Sequence, residues 1–168
     1  MTNIIGISGW SGSGKTHLIS NLIKFFVEKH HLKVCALKHA HSSFQIDHEG
    51  KDSYKFFESG ASRVVISSSK QWAMVNKVEG KELSLETLLK FSNDKFDLIL
   101  VEGWKLSKIK KIEVFRDAVN KPLLSDKYEN FVAVATNSKK LTTEKNLPIL
   151  NLNDVKEIGC FILNYLRI

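Results

Sequence analysis

Gly9-Trp10-Ser11-Gly12-Ser13-Gly14-Lys15-Thr16 fits G-x-x-x-x-G-K-[ST], the phosphate-binding loop or P-loop. The apolar run Ile4-Ile5-Gly6-Ile7 precedes it, and Leu18, Ile19, Leu22, Ile23, Phe26 and Val27 follow at helical spacing. The motif therefore lies between a buried strand and a helix, which is the context its chemistry needs. Glycines at 9, 12 and 14 let the backbone turn successive N–H groups inward towards phosphate oxygens. The helix start adds free N–H groups and the positive end of its dipole. Lys15 is placed to reach the β and γ phosphates, and the Thr16 hydroxyl to bind Mg²⁺. The bland alternative is a glycine-rich turn that only joins strand to helix.

A second marker supports the phosphate reading. In Phe96-Asp97-Leu98-Ile99-Leu100-Val101-Glu102-Gly103, four apolar residues end in an acid. That describes a buried parallel strand delivering a carboxylate at its C-terminal edge, where ligand sites of α/β sheets lie. Glu102 is the expected partner of the P-loop Mg²⁺, through water or by positioning an attacking water, so Lys15 and Glu102 are the candidate catalytic pair. Asp97, at the strand's other end, reads as structural. Lysines 105, 108, 110 and 111 follow Gly103 and read either as a solvated face or as a contact for phosphate or a partner.

Between the two markers, strands are expected at residues 3–8 and 33–37, with a helix from about Lys15 to the His30-His31 pair. A polar loop, Lys38-His39-Ala40-His41-Ser42-Ser43, leads to Asp47-His48-Glu49-Gly50-Lys51-Asp52-Ser53. One reading makes Asp52 or Ser53 the cap of a helix over 54–59, closed by Gly60. The other makes the stretch a switch segment, with Asp47 near Mg²⁺ and Lys51 or Ser53 near phosphate or substrate. Residues 63–68 and 71–78 read as a hairpin, with Trp72 packed on it. An amphipathic helix is expected over 82–91, with Leu83, Leu85, Leu88 and Leu89 inward and Ser84 as its cap. Strands at 111–116, 131–136 and 147–150 and a helix over about 153–166 follow, the helix packing Val155, Ile158, Ile162, Tyr165 and Leu166. The fold class is α/β: a P-loop NTPase three-layer sandwich, mostly parallel sheet with an added β-hairpin, forming a single nucleotide-binding domain over 1–168.

Composition sets the outer limits. At 168 residues and 43% hydrophobic content, the chain suits one domain with a full core. Its longest apolar runs are too short to span a bilayer, and its first segment reads as a strand and not a cleavable signal, so no membrane is expected and the cytoplasm is. Cys35 and Cys160 lack C-x-x-C spacing and read as buried thiols. A net charge of +7, from 25 Lys+Arg against 18 Asp+Glu, favours an anionic partner without naming one. Only Arg63, Arg116 and Arg167 are arginines, a shortage that weighs against a small-molecule kinase with an arginine lid.

The blocks IIGISGWSGSGKT, LKHAHSSFQIDHEGKDSYKFFESGA, SSSKQWAMV, FDLILVEGWK and KIEVFRD, in that order, resemble the MobB family, GTP-binding proteins of molybdopterin-guanine dinucleotide biosynthesis. The resemblance implies a P-loop homodimer with weak GTPase activity. Such a protein assists a MobA-type molybdenum cofactor guanylyltransferase that joins GMP to molybdopterin. It implies GTP and Mg²⁺ as ligands. Gly9, Trp10, Ser11, Gly12, Ser13, Gly14, Lys15 and Thr16 would hold the phosphates, with Thr16, Asp47 and Glu102 around the metal. His39, Gly50, Lys51, Asp52 and Ser53 belong to the second-motif loop. His17, Ser42 and Glu49 depart from the family pattern. The guanine-reading N-K-x-D is missing, and Asn137 in Thr136-Asn137-Ser138 is the nearest candidate for the base. A small-molecule kinase and a basic nucleic-acid-binding module are the competing classes, the latter resting on charge alone.

Overall fold

A computed structural model describes residues 3–40, 44–92 and 96–168. The described chain divides into two compact units, residues 40–84 and the remainder, each treated separately below.

The larger unit is built on a sheet whose order is β2-β5-β1-β6-β7-β8. Its strands are β1 (Asn3–Ser8), β2 (Val34–Lys38), β5 (Leu98–Glu102), β6 (Lys111–Phe115), β7 (Phe131–Thr136) and β8 (Ile149–Asn151). Every pairing in it is parallel. The P-loop strand β1 lies between β5 and β6, so two crossovers meet beside it.

The period-two pleat sorts the buried strand residues onto two faces. Ile5, Ile7, Leu98, Leu100, Ile112, Val114, Ala133 and Ala135 share one core with Leu18, Leu22 and Phe26 of α1 (Lys15–His30) and Ile158 and Ile162 of α5 (Val155–Leu166). Ile99 and Val101 face the other way, onto Leu85 and Leu89 of α3 (Leu85–Ser92) and onto Ile109. Helices on both faces give the three layers expected. The expected strand of apolar residues ending in Glu102 is fully buried at 98–101.

On β6 the second face carries Lys111 and Glu113, both 0% exposed. Irregular chain covers this part of the sheet, and its buried backbone groups need partners. Lys111 Nζ donates to the carbonyls of Ser107 and Ile109, the latter at 3.0 Å, and lies 5.6 Å from the Phe131 ring centroid. Its stem crosses Gly6, where a Cβ would come within 2.5 Å of Lys111 Cγ. Burial, with Lys110 beside it, pushes the ammonium down to about 8. Lys111 therefore leaves the solvated lysine face of the sequence reading. Glu113 accepts the N–H groups of Leu124 and Ser125, each at 2.7 Å, at the start of the short helix α4 (Leu124–Lys127). Burial pushes its carboxyl up, against those two hydrogen bonds.

Other expectations shift in detail. The last strand runs over 149–151 and not 147–150, and Tyr165 is 40% exposed, stacked on Phe161 instead of sunk in the core. Asp97 is structural as expected, accepting the Lys33 N–H at 2.7 Å. Both cysteines are free thiols.

The smaller unit holds α2 (Asp52–Glu58) and the antiparallel hairpin of β3 (Arg63–Ser67) and β4 (Trp72–Asn76). Three readings fail here. Lys51 occupies the cap position of α2 with no side-chain bond, and Asp52 is already helical. Trp72, on the open face of an isolated two-stranded ribbon, is 70% exposed instead of packed. Leu83, expected inward, precedes α3 and is 39% exposed. No helix among the described residues is long and apolar enough to cross a membrane.

Candidate functional site

The P-loop connects β1 to α1 at the carboxyl edge of the sheet. Gly12 and Gly14 take φ of 81° and 97°, the left-handed region that the motif's glycines were expected to supply. Gly9 is required for a different reason. A Cβ there would stand 2.4 Å from the Val114 carbonyl oxygen and 2.7 Å from Ser13 Oγ. Ser13 Oγ is itself buried and has no hydrogen-bond partner among the described residues.

Lys15 folds back so that Nζ donates to the Trp10 carbonyl at 2.9 Å, spanning the loop's mouth. Burial lowers its proton affinity, Glu102 opposes this, and the neighbouring Lys105 and Lys38 lower it further. An ammonium held in this way gains from any anion that enters. Thr16 Oγ1 stands 3.2 Å from both carboxylate oxygens of Glu102, so the two proposed metal ligands from β5 and α1 meet. Lys38 Nζ lies 3.8 Å from the same carboxylate, whose side chain is 13% exposed.

The ends of β1, β2 and β5 are laced together behind this pair. The His39 N–H donates to the Glu102 carbonyl at 3.0 Å, and the Ser8 hydroxyl to the Gly103 carbonyl at 2.9 Å. Gly103 has φ 96° and abuts His39, leaving 2.9 Å between a Cβ and His39 Cβ. Trp104 follows at φ 42°, stacked on the His39 ring with centroids 4.8 Å apart. His39 is thus a packing partner of the corner after Glu102.

Trp10 joins the P-loop to two other loops. Its indole N–H donates to the Pro122 carbonyl at 2.7 Å, and Lys105 Nζ stands 4.3 Å from its ring centroid. Sequence reasoning missed Arg116, whose Nε donates to the Ser13 carbonyl at 3.1 Å and whose guanidinium borders Gly14. Strand order held the missing signal: the residue after β6 abuts the P-loop only because β6 pairs with β1.

Asp47, Gly50, Lys51, Asp52 and Ser53 fall in the smaller unit. There the Ser53 hydroxyl and the His48 N–H bind the Asp47 carboxylate and hold it below its usual range. Gly50 has φ 94°. His41 and Ser42 of the histidine loop lie outside the described residues. Asn137 is exposed at the carboxyl edge, just past β7. The arrangement in the larger unit can bind a polyphosphate, place a divalent cation between hydroxyl and carboxylate, and neutralise charge from several lysines.

Comparison with known proteins places the chain in a family. Over nearly its full length the chain is 39% identical to the molybdopterin-guanine dinucleotide biosynthesis adapter protein of Haemophilus influenzae, covering 98% of this chain and 89% of that one. It is 32% identical to the Escherichia coli adapter protein of the same name, covering 99% and 95%. Among solved structures, one described as molybdopterin-guanine biosynthesis protein B superposes with a TM-score of 0.76 at 28% identity, covering 98% of this chain and 99% of that one. Bacillus subtilis MobB shares the fold, with a TM-score of 0.75 at 22% identity over 96% of each chain. Residues 4–137 match the family described as MobB, molybdopterin guanine dinucleotide synthesis protein B, and the chain belongs to that family.

Proposed function

We propose that this protein is an adapter of molybdopterin-guanine dinucleotide biosynthesis that binds GTP and Mg²⁺ at its P-loop and hydrolyses GTP slowly. The observation that carries the reading is the meeting of Thr16 and Glu102 at 3.2 Å beside the Lys15 ammonium. The residues suit the ligand. Gly9 keeps the cradle free of a Cβ, the Ser13 hydroxyl is buried with no partner among the described residues, and cations outnumber carboxylates around Lys15. The adapter role draws on the names of the two relatives.

In this reading the Gly9–Thr16 backbone and Lys15 hold the phosphates, and Thr16 and Glu102 hold the cation; the assignment of Asp47 to the cation rests on the sequence and the family resemblance alone. Bound Mg²⁺ would draw charge from the phosphate oxygens. Glu102 also orients water, while Trp10 and Arg116 keep the loop in shape. His39, Gly50, Lys51, Asp52 and Ser53 belong to the second motif, and Asn137 reads the base. The protein acts as a cytoplasmic homodimer that serves a MobA-type guanylyltransferase and its molybdopterin.

Calorimetric titration of wild type and Lys15→Ala with GTP and ATP, with and without Mg²⁺, tests the core of this. Mg²⁺-dependent GTP preference in the wild type, lost in the variant, is expected. GTP affinity retained without Lys15 overturns the site. Preference for ATP, or no preference, overturns the assignment of GTP and moves the weight to phosphoryl transfer. Asn137→Ala should erase the GTP/ATP preference, and an unchanged preference removes Asn137 from base recognition.

A further inference from the structure

Lys105 is the third residue beyond Glu102, on a corner with little freedom. Gly103 receives the Ser8 hydroxyl, Trp104 is stacked on His39, and the Ser107 N–H closes a turn onto the Trp104 carbonyl at 2.9 Å. From there the Lys105 ammonium reaches the Trp10 ring, 4.3 Å from its centroid, while Lys15 Nζ is bonded to the carbonyl of the same residue at 2.9 Å. Lys15 and Lys105 thus meet at Trp10, and Lys38 stands 3.8 Å from the Glu102 carboxylate. Ammoniums gathered at one loop repel one another until an anion of more than one charge joins them.

The lysines are not equivalent. Lys15 is tied to the loop carbonyl of Trp10, and Lys38 stands by Glu102, on an edge strand. Lys105 is held by an aromatic face, a contact weaker than a charge-assisted hydrogen bond to phosphate. Its four-carbon stem lets it exchange one for the other. It is also the third residue past Glu102, on the chain that leaves β5 beside the P-loop strand, and the terminal phosphate of a P-loop nucleotide meets the acid of that neighbouring strand.

We propose that Lys105 is a ligand of the terminal phosphate, taken from the Trp10 ring by that phosphate, and that it gives the site its preference for nucleoside triphosphate over diphosphate. This rests on the nucleotide-binding reading above. Trp10 is then a built-in reporter, because losing the ammonium changes the field at its indole.

The test compares wild type, Lys105→Ala and Lys105→Arg. Each is titrated calorimetrically with GDP and a non-hydrolysable GTP analogue in Mg²⁺, while the Trp10 indole N–H resonance, assigned with Trp10→Phe, is followed by NMR. In Lys105→Ala the affinity for the triphosphate should fall about tenfold, the worth of one charge-assisted hydrogen bond, with GDP affinity little changed. Lys105→Arg should keep most of the preference. The indole resonance should move with the triphosphate in wild type, more than with GDP, and should not show that difference in Lys105→Ala. An unchanged triphosphate-to-diphosphate ratio in Lys105→Ala overturns the assignment while leaving the nucleotide site intact. A wild type that binds neither nucleotide overturns both.

Discussion

Making the solution more alkaline should strengthen this fold through one residue, Lys111, against the usual trend for a lysine-rich chain. Its ammonium is 0% exposed and lies between the sheet and the 103–110 crossover. Folding pushes its pKa from 10.5 down to about 8. Between those values the unfolded chain binds the proton and the folded chain does not, so stability rises with pH. Below about 8 the folded state bears the full cost of the buried charge; above about 10.5 the cost is gone. A gap of about 2.5 pH units at about 1.4 kcal/mol each amounts to about 3 kcal/mol. Urea unfolding of wild type and Lys111→Met, at several values from about pH 7 to about pH 10.5, isolates it, since the remaining lysines titrate in both proteins. The difference in unfolding free energy should move by about 3 kcal/mol in favour of wild type as pH rises. A flat difference across the range would show that the ammonium is solvated or fully compensated by the Ser107 and Ile109 carbonyls, and would refute the reasoning.

Two further substitutions probe the frame behind the P-loop. Glu113→Ala leaves the Leu124 and Ser125 N–H groups buried without acceptors and should cost about 2–5 kcal/mol in urea unfolding, with Glu113→Gln recovering part of it. A loss below about 1 kcal/mol in the alanine variant would mean that α4 finds another acceptor. Gly9→Ala drives a Cβ against the Val114 carbonyl, a backbone atom that cannot swing aside, so the P-loop must shift. Stability should drop by about 1–3 kcal/mol and GTP binding should weaken sharply in calorimetry; wild-type values of both would contradict the crowding at that position.

The phosphate loop, the buried strand ending in Glu102, the hairpin and most element boundaries were legible in the sequence because each is a local pattern. Glycine spacing encodes backbone conformations, an apolar run encodes burial on both faces, and helical periodicity encodes one buried stripe. Lys15, Thr16 and Glu102 follow from those patterns, since a residue at a strand's carboxyl end or a helix's first turn is placed by its own element. The errors lie where a neighbour decides. Trp72 was expected to pack on its hairpin and is exposed, because a two-stranded ribbon buries only one face.

By itself, then, the sequence determined that the chain builds a P-loop α/β sheet and which residues form the glycine-rich cradle between its first strand and first helix. Tertiary structure alone decided what stands around that cradle: Arg116 on the Ser13 carbonyl, Trp10 between Pro122 and Lys105, and His39 under Trp104. It also turned Lys111, read with its neighbouring lysines as a solvated face or a contact, and Glu113 into buried anchors for irregular chain. The physical reason is that charge in a sequence does not state its surroundings: a lysine or glutamate goes to solvent unless distant backbone groups need it, and strand order determines which groups those are.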